Sequence, residues 1–545
     1  MSTQAPADRL EQFRKYDSLS PFELKDELIV LAKDQHHETD VFLNAGRGNP
    51  NWIATTPREA YFLFGRFGIE ESKRVWNEPD LGGMPAKDGI GARFEAFIGR
   101  HADEPGAQML KNGIDYGVNE LGFNKDAWLY ELTDAIIGDM YPVPMRMGAH
   151  MERVAEKYLV QEMCGKQPPP GNFDLFAVEG GTAAMCYLFE TLTVNGLLKR
   201  GDKVAMGLPT FTPYIEMAHL DKYNFQIVEI DAEERYANGM RSWQYPDSEI
   251  DKLLDPSVKA FFVVNPSNPP SYAIAHATLE RIAKIVREKR PDLIVITDDV
   301  YGTFVDGFES LMKIVPRNTI TVYSYSKYFG CTGWRLGVIA VHQDNVLDEM
   351  IAKLPDAEKQ KLRKRYSPLT LNPDGIKFID RMVADSREVA LNHTAGLSMP
   401  QQVMMTFFSL FALTDKNDAY KKLTVRICQD RLARLWKGVN IPLPPDKLRA
   451  GYYSTVDLMN WAKLTYGPEF AKYLEDNYHP LMIVFALAKW HGVVLLNGSG
   501  FGGPDWSVRC SLANLPDKAY EEIGEYLADV ATTPLSRWRE ATQKA

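Results

Sequence analysis

The residues best suited to chemistry in this chain lie in three short runs. Lys327 stands in SYSKYFGCTGWRLG (324–337), preceded by the hydroxyls of Ser324 and Ser326 and followed eight residues on by Arg335. A lysine just beyond a buried strand is unusual, because an unpaired ammonium is costly to bury. Burial favours the neutral amine, the form that attacks a carbonyl. In VITDDVYG (295–302) an apolar strand closes on Asp298 and Asp299, with Tyr301 three residues past Asp298. Carboxylates at the C-terminal end of a parallel strand point into the crevice where ligands bind. In VEGGTAAM (178–185) a strand ends in Gly180 and Gly181, and Thr182 starts a long helix. The free N–H groups and positive dipole end of such a helix suit an anion. Each run alone has an ordinary explanation: a solvated loop lysine, a helix-capping aspartate, a plain strand-to-helix turn.

A fourth run is a decoy. Gly498, Gly500 and Gly503 fit G-x-G-x-x-G after an apparent strand. The dinucleotide fingerprint needs a helix to open at the third glycine, where the pyrophosphate sits. Pro504-Asp505-Trp506 follow instead, and another strand-like run begins. A glycine-rich loop between strands is the better reading, and the nucleotide fold is rejected.

The elements that must position these residues form a regular pattern from about residue 149. HMERVAEKYLVQEMCG reads as a helix and FDLFAVEGG as a buried strand. TAAMCYLFETLTVNGLLKRG is again helical, and KVAMGLPTF a short strand. KAFFVVNPSNPPS, the helix HATLERIAKIVREKR, and the strands LIVITDDVY, TITVYSYS and RLGVIAV come next. Short apolar runs alternating with helices indicate an α/β fold, a mostly parallel sheet covered on both faces. SPFELKDELIVLAKDQ (20–35) reads as a capped helix, and VFLNAGRGNPNW (41–52) as a strand entering a Gly/Pro turn. After a break near 355–395, MPQQVMMTFFSLFAL is helical, and GYYSTVDL, GVVLLNGSG, WSVRCSLAN and KAYEEIGEYLADV form a smaller α+β unit. The expected division is an N-terminal arm with part of the small domain (1–52), a large domain (53–395) and a C-terminal small domain (396–545).

A chain of 545 residues is too long for one core. Its net charge of −10 argues against nucleic-acid and anionic-membrane partners. The five cysteines show neither CxxC pairs nor zinc spacing, so reduced thiols and no metal are expected. No signal-type or membrane-length apolar run appears, and a cytoplasmic protein is expected.

Taken together, in this order and spacing, the runs resemble the fold-type-I pyridoxal-phosphate enzymes of the aspartate-aminotransferase superfamily, over about 41–52 and 141–514. The resemblance implies pyridoxal 5′-phosphate as cofactor, with Lys327 carrying it as a Schiff base. Ser324, Ser326 and Arg335 then match groups around the cofactor phosphate, and Gly181 and Thr182 the helix N-terminus that also holds it. Asp298 matches the aspartate on the pyridine nitrogen. Tyr301 and Asn268 match the partners of the 3′-oxygen, and Phe211 in LPTFTPY the aromatic stacked on the ring. Tyr141 in MYPVPMRMG resembles a tyrosine that reaches the phosphate of a neighbouring subunit. Arg509 in VRCSLAN matches the arginine on the substrate α-carboxylate. Where the family has Asn-Pro-Thr-Gly, this chain has Pro270-Ser271 after Asn268-Pro269, so the turn is expected to differ in detail.

Extra length near 53–140 and 345–395, with the wording of GTAAM, YSKYFGCTGWRLG and GSGFGGPDWSVRCSLAN, resembles the bacterial L-aspartate 4-decarboxylases. That resemblance implies loss of the aspartate β-carboxylate as CO2 to give alanine, a side aminotransferase activity, and homo-oligomers built from dimers, up to dodecamers. An aspartate or aromatic amino-acid aminotransferase is the alternative. A cofactor-binding regulator is a third reading, but 53–140 is acidic and offers no basic recognition helix. Dicarboxylate aminotransferases hold the distal carboxylate with an arginine just before a Ser-x-Pro element. Here Thr394 stands in that place, before Ser398-Met399-Pro400. Arg47, beside Gly48 in the expected substrate-facing turn, is the candidate replacement, with Arg146 behind it.

Overall fold

The structure is a computed structural model, and it describes residues 11–35, 42–76, 82–141, 146–165, 167–390 and 396–544. The chain opens with helix α1 (Pro21–Gln35) and the short strand β1 (Leu43–Asn44). Four helices follow: α2 (Thr55–Arg74), α3 (Ile90–Arg100), α4 (Ala107–Asn119) and α5 (Lys125–Ile137). The start of α5 is written in the sequence: the Asn124 side chain accepts from the Ala127 N–H, and Gly138 ends the helix at φ 73°. After α6 (Ala149–Cys164) come β2 (Phe173–Val178), α7 (Gly181–Val194), β3 (Lys203–Leu208), α8 (Thr212–His219) and β4 (Gln226–Asp231). Then follow β5 (Val258–Val264), α9 (His276–Glu288), β6 (Ile294–Asp298), β7 (Thr319–Ser324) and β8 (Gly337–His342).

Strands β2 to β8 form one seven-stranded sheet in the order β2-β8-β7-β6-β5-β3-β4. Strand β8 runs antiparallel to both neighbours, and the other pairings are parallel. The strands β2, β6, β7 and β8 are buried at every residue, as expected for a sheet with helices on both faces. Helix α9 shows how a helix covers such a face. Leu279, Ile282, Ala283 and Val286 recur at the 3-4 spacing and are all buried.

Helix α10 (Met399–Thr414) packs against α2, α4, α5 and α6. The division expected at 395 assigns this helix to the small domain, yet its core partners are the helices of 53–164. Phe407 joins Phe64, Phe67, Phe94 and Phe97 in one apolar cluster. Beyond α10 lie α11 (Ala419–Val439), β9 (Tyr453–Asp457), α12 (Met482–His491), β10 (Val493–Val494), β11 (Leu496–Asn497), β12 (Ser507–Ser511) and α13 (Asp517–Val530). β9, β12 and β11 form an antiparallel sheet, and β1 pairs in parallel with β10. Helix α1 packs on α12, β10 and β11, so both chain ends share one core.

The Gly498–Gly503 run is a turn between β11 and β12. A side chain at Gly500 would strike Pro21, and one at Gly503 would meet the Gly498 carbonyl. Close packing explains these glycines, and no helix opens after them.

Candidate active site

The sequence-selected residues converge because most of them sit at C-terminal ends of strands in one sheet. Strand β2 leads to Gly180–Thr182, β3 to Phe211, β5 to Asn268, β6 ends on Asp298, and β7 ends on Ser324 just before Lys327. Together with residues from β9, β12 and the N-terminal arm they line a cavity of about 230 Å³. Gly48, Gly181, Thr182, Phe211, Asn268, Asp298, Tyr301, Ser324, Ser326, Lys327, Arg335 and Arg509 all border it.

At its floor, Asp298 is buried and accepts from the Tyr214 hydroxyl at 2.6 Å and from the Val300 N–H at 3.2 Å. Burial pushes its carboxyl up to about 6, against the pull of those two hydrogen bonds and the nearby Lys327 charge. A buried carboxylate of this kind calls for a cation opposite it. Asp299, next to it, is held by Thr297 (2.5 Å) and Ser310 hydroxyls, and burial pushes it up to about 7.

Lys327 donates to the Gly48 carbonyl at 3.1 Å, and its own carbonyl and that of Tyr328 receive the Trp52 indole N–H. The amine is thus aimed at the N-terminal turn. Gly48 has no room for a side chain: a Cβ would lie 2.7 Å from the Tyr453 hydroxyl and 3.2 Å from Lys327 Nζ.

The anion end is built at α7. Gly180 takes φ 94°, a conformation that favours glycine, and leaves the helix N-terminus without a side-chain cap. A side chain at Gly180 would strike the Arg335 guanidinium. Arg335 lies at φ 54° and donates to the Thr332 and Glu179 carbonyls at 3.1 and 3.2 Å. The Ser324 and Ser326 hydroxyls are 3.0 Å apart beside it. N–H groups, two hydroxyls and a guanidinium around one point could hold a phosphate.

At the opposite end, Arg509 is only 2% exposed. It donates to Asn268 Oδ1 at 3.3 Å and to the Gly46 carbonyl at 3.0 Å, while its Nε has no partner among the described residues. The rings of Tyr453 (4.5 Å), Phe501 (4.9 Å) and Phe22 (5.9 Å) surround it. A buried guanidinium with unused donors suits a carboxylate.

Two expected site residues lie outside this lining. Arg47 is exposed and makes no hydrogen bond or ion pair with the described residues, and Tyr141 is 79% exposed. Arg146 is committed to Glu152, Asp174 and Asp380 at 3.0–3.2 Å. Thr394 lies outside the described residues. Sequence reasoning missed Tyr214, Tyr453 and Phe22. Tyr214 could have been found, since it sits one helical turn after Phe211 in a strand-to-helix corner. Tyr453 lies in a run that reads as an ordinary strand, and nothing local marks it.

Comparison with known proteins agrees with this geometry. The family model described as aminotransferase class I and II matches residues 177–527. A Pseudomonas protein named bifunctional aspartate aminotransferase and L-aspartate beta-decarboxylase is 49% identical over 96% of this chain and 97% of its own length. The aspartate aminotransferase of Pyrococcus abyssi is 28% identical over 43% of this chain and 58% of its own. A solved aspartate aminotransferase from Thermus thermophilus with maleate shares the fold at TM-score 0.56, with 16% identity over 97% of this chain and all of the other. The chain belongs to the class I and II aminotransferases, whose cofactor is pyridoxal 5′-phosphate.

Proposed function

We propose that this enzyme removes the β-carboxylate of L-aspartate as CO2 to give L-alanine, with transamination as a side activity. The observation that carries this reading is the near-full-length likeness to the Pseudomonas bifunctional enzyme, which includes the segments outside the family match.

When bound, pyridoxal phosphate supplies an electron sink for bonds broken at the substrate's Cα and Cβ. The residues present suit it. The Asp298 carboxylate would hold a protonated ring nitrogen, and Tyr214 keeps that carboxylate oriented. The N-terminus of α7, Ser324, Ser326 and Arg335 would hold the phosphate. Asn268 would serve the 3′-oxygen and Phe211 would pack on the ring, whereas the Tyr301 hydroxyl, expected at that oxygen, gives its hydrogen to Tyr453. Lys327 would carry the cofactor, and its amine, which lines the cavity and faces the Gly48 turn, would hold and move the proton at Cα. Arg509 fixes the α-carboxylate, which lets the reacting bond be aligned before it breaks. The surrounding rings of Phe22, Tyr453 and Phe501 exclude water from that pair.

The working form is a homo-oligomer of dimers in the cytoplasm. Tyr141, Thr182 and Arg335 are exposed in the single chain, which supports a partner subunit closing the phosphate end. Incubating the holoenzyme with aspartate and no keto acid tests the reaction. Alanine accumulating over many turnovers is expected. A single stoichiometric burst of oxaloacetate overturns the proposal in favour of plain transamination.

A further inference from the structure

A β-decarboxylase must recognise the carboxylate that leaves, and the cavity's cations do not offer themselves for it. Among the described lining residues the cations are Lys327, Arg335 and Arg509. Lys327 faces Gly48, Arg335 is tied to carbonyls beside α7, and Arg509 serves the α-carboxylate in the reading above. The hydroxyls are more telling. Tyr214 gives its hydrogen to Asp298, and Tyr301 gives its own to Tyr453 at 3.0 Å. Tyr453 accepts that bond, and its own hydrogen meets no acceptor among the described residues. The side chain is 3% exposed and lines the cavity. Its hydroxyl and the Lys327 amine border the same gap, the space a Gly48 side chain would fill.

We propose that the Tyr453 hydroxyl donates to the distal carboxylate of the substrate and so selects dicarboxylic amino acids. This rests on the proposed function and deepens it. The leaving carboxylate loses its charge in the transition state, so a guanidinium clamp would stabilise the ground state more and slow the step. A neutral hydroxyl orients the group while giving up less when the charge disappears. The Tyr301 hydrogen donated to Tyr453 polarises the phenol further and strengthens it as a donor. The backbone holds the ring firmly: the Tyr453 N–H reaches Ser271 Oγ at 3.4 Å, and the ring lies on Arg509.

The test is Tyr453→Phe in the holoenzyme, which keeps the ring on Arg509 and removes only the hydroxyl. Calorimetry measures the binding of succinate and of propionate, neither of which turns over. Succinate affinity is expected to fall about tenfold or more, the loss of a hydrogen bond to a charged group, with propionate changed less than about twofold. The KM for aspartate rises in parallel, and the pH dependence of succinate binding is unchanged. Equal losses for both ligands would show that the hydroxyl acts through Arg509 or Tyr301, and no loss would show that it is idle; either result overturns the proposal. Wild-type CO2 release from aspartate separates the two levels. Release together with an unselective variant sinks only the role of Tyr453. Selective loss of succinate without any CO2 release keeps Tyr453 as the carboxylate reader and sinks the decarboxylase reading.

Discussion

Asp298 carries the clearest electrostatic signature in the cavity. An unfolded aspartate releases its proton near 3.8, whereas the buried carboxyl keeps it up to about 6. Its contribution to stability is therefore greatest below 3.8 and is lost as pH rises through 6 in the cofactor-free protein. The loss is on the order of 2–3 kcal/mol. Asp298→Asn removes this ionisation, so at about pH 7 the cofactor-free variant should melt no lower than wild type, with its relative advantage gone by about pH 4. Cofactor affinity should meanwhile fall at least about tenfold, because the ring nitrogen loses its counter-charge. A variant that melts lower at every pH would show that Asp298 is a structural residue first. Lys327→Ala should abolish both reactions while the protein stays folded, and borohydride reduction followed by peptide mapping should place the pyridoxyl group on Lys327 and not on Lys313. Arg509→Gln should raise KM about tenfold or more for aspartate and alanine alike, since both carry an α-carboxylate. These residues were legible because lysine, aspartate and arginine at strand ends are expensive to place without a task. Tyr453 was not, because tyrosine is also a common strand residue and its use depends on what faces it across the fold.

The element that departs most from the resemblance is the turn after β5. Ser271 stands where the family has glycine, and it takes φ 69°. The strain has a return: Ser271 Oγ accepts from the Tyr452 N–H at 3.1 Å, and the Ala450 N–H reaches the Ser271 carbonyl at 2.8 Å. Tyr452 in turn donates to the Gly48 carbonyl at 2.7 Å. One buried serine thus links the β5 turn, the start of β9 and the N-terminal turn at Gly48. Ser271→Ala keeps the strain and orphans the N–H, costing about 1–3 kcal/mol. Ser271→Gly also loses the acceptor but relaxes the backbone, so denaturant unfolding should rank it about 1 kcal/mol above the alanine variant. The reverse order would mean that the serine hydroxyl is not what holds the turn. Strands and their ends were readable from apolar runs closed by Gly, Pro and Asp. This linkage was not, because it joins residues about 180 positions apart and depends on a side chain filling a left-handed turn.

At the scale of the molecule, both chain ends build the small sheet and its helices, while α10 returns to pack on α2, α4, α5 and α6. The helices of 53–140 carry no chemical motif and none of the cavity lining. Their aromatic cluster with Phe407 is a packing feature that single-sequence reading could only register as mixed. Phe407→Ala should therefore cost about 3–5 kcal/mol in stability with little change in substrate KM. If Tyr141 reaches the neighbouring site, mixing Lys327→Ala with Tyr141→Phe subunits, refolded together, should recover about a quarter of wild-type activity, one intact site in each mixed dimer. Tyr141→Phe subunits active on their own would place Tyr141 outside the site, and inactive ones that mixing does not rescue would place it in the site of its own subunit. The central claim is the fate of one carbon, and the most direct measurement follows it: aspartate labelled with carbon-13 at C4 or at C1, incubated with the pure holoenzyme and no keto acid. C4 is expected to leave as CO2 and C1 to be retained in the carboxylate of alanine. Labelled CO2 from C1, or both labels retained in oxaloacetate, would contradict it.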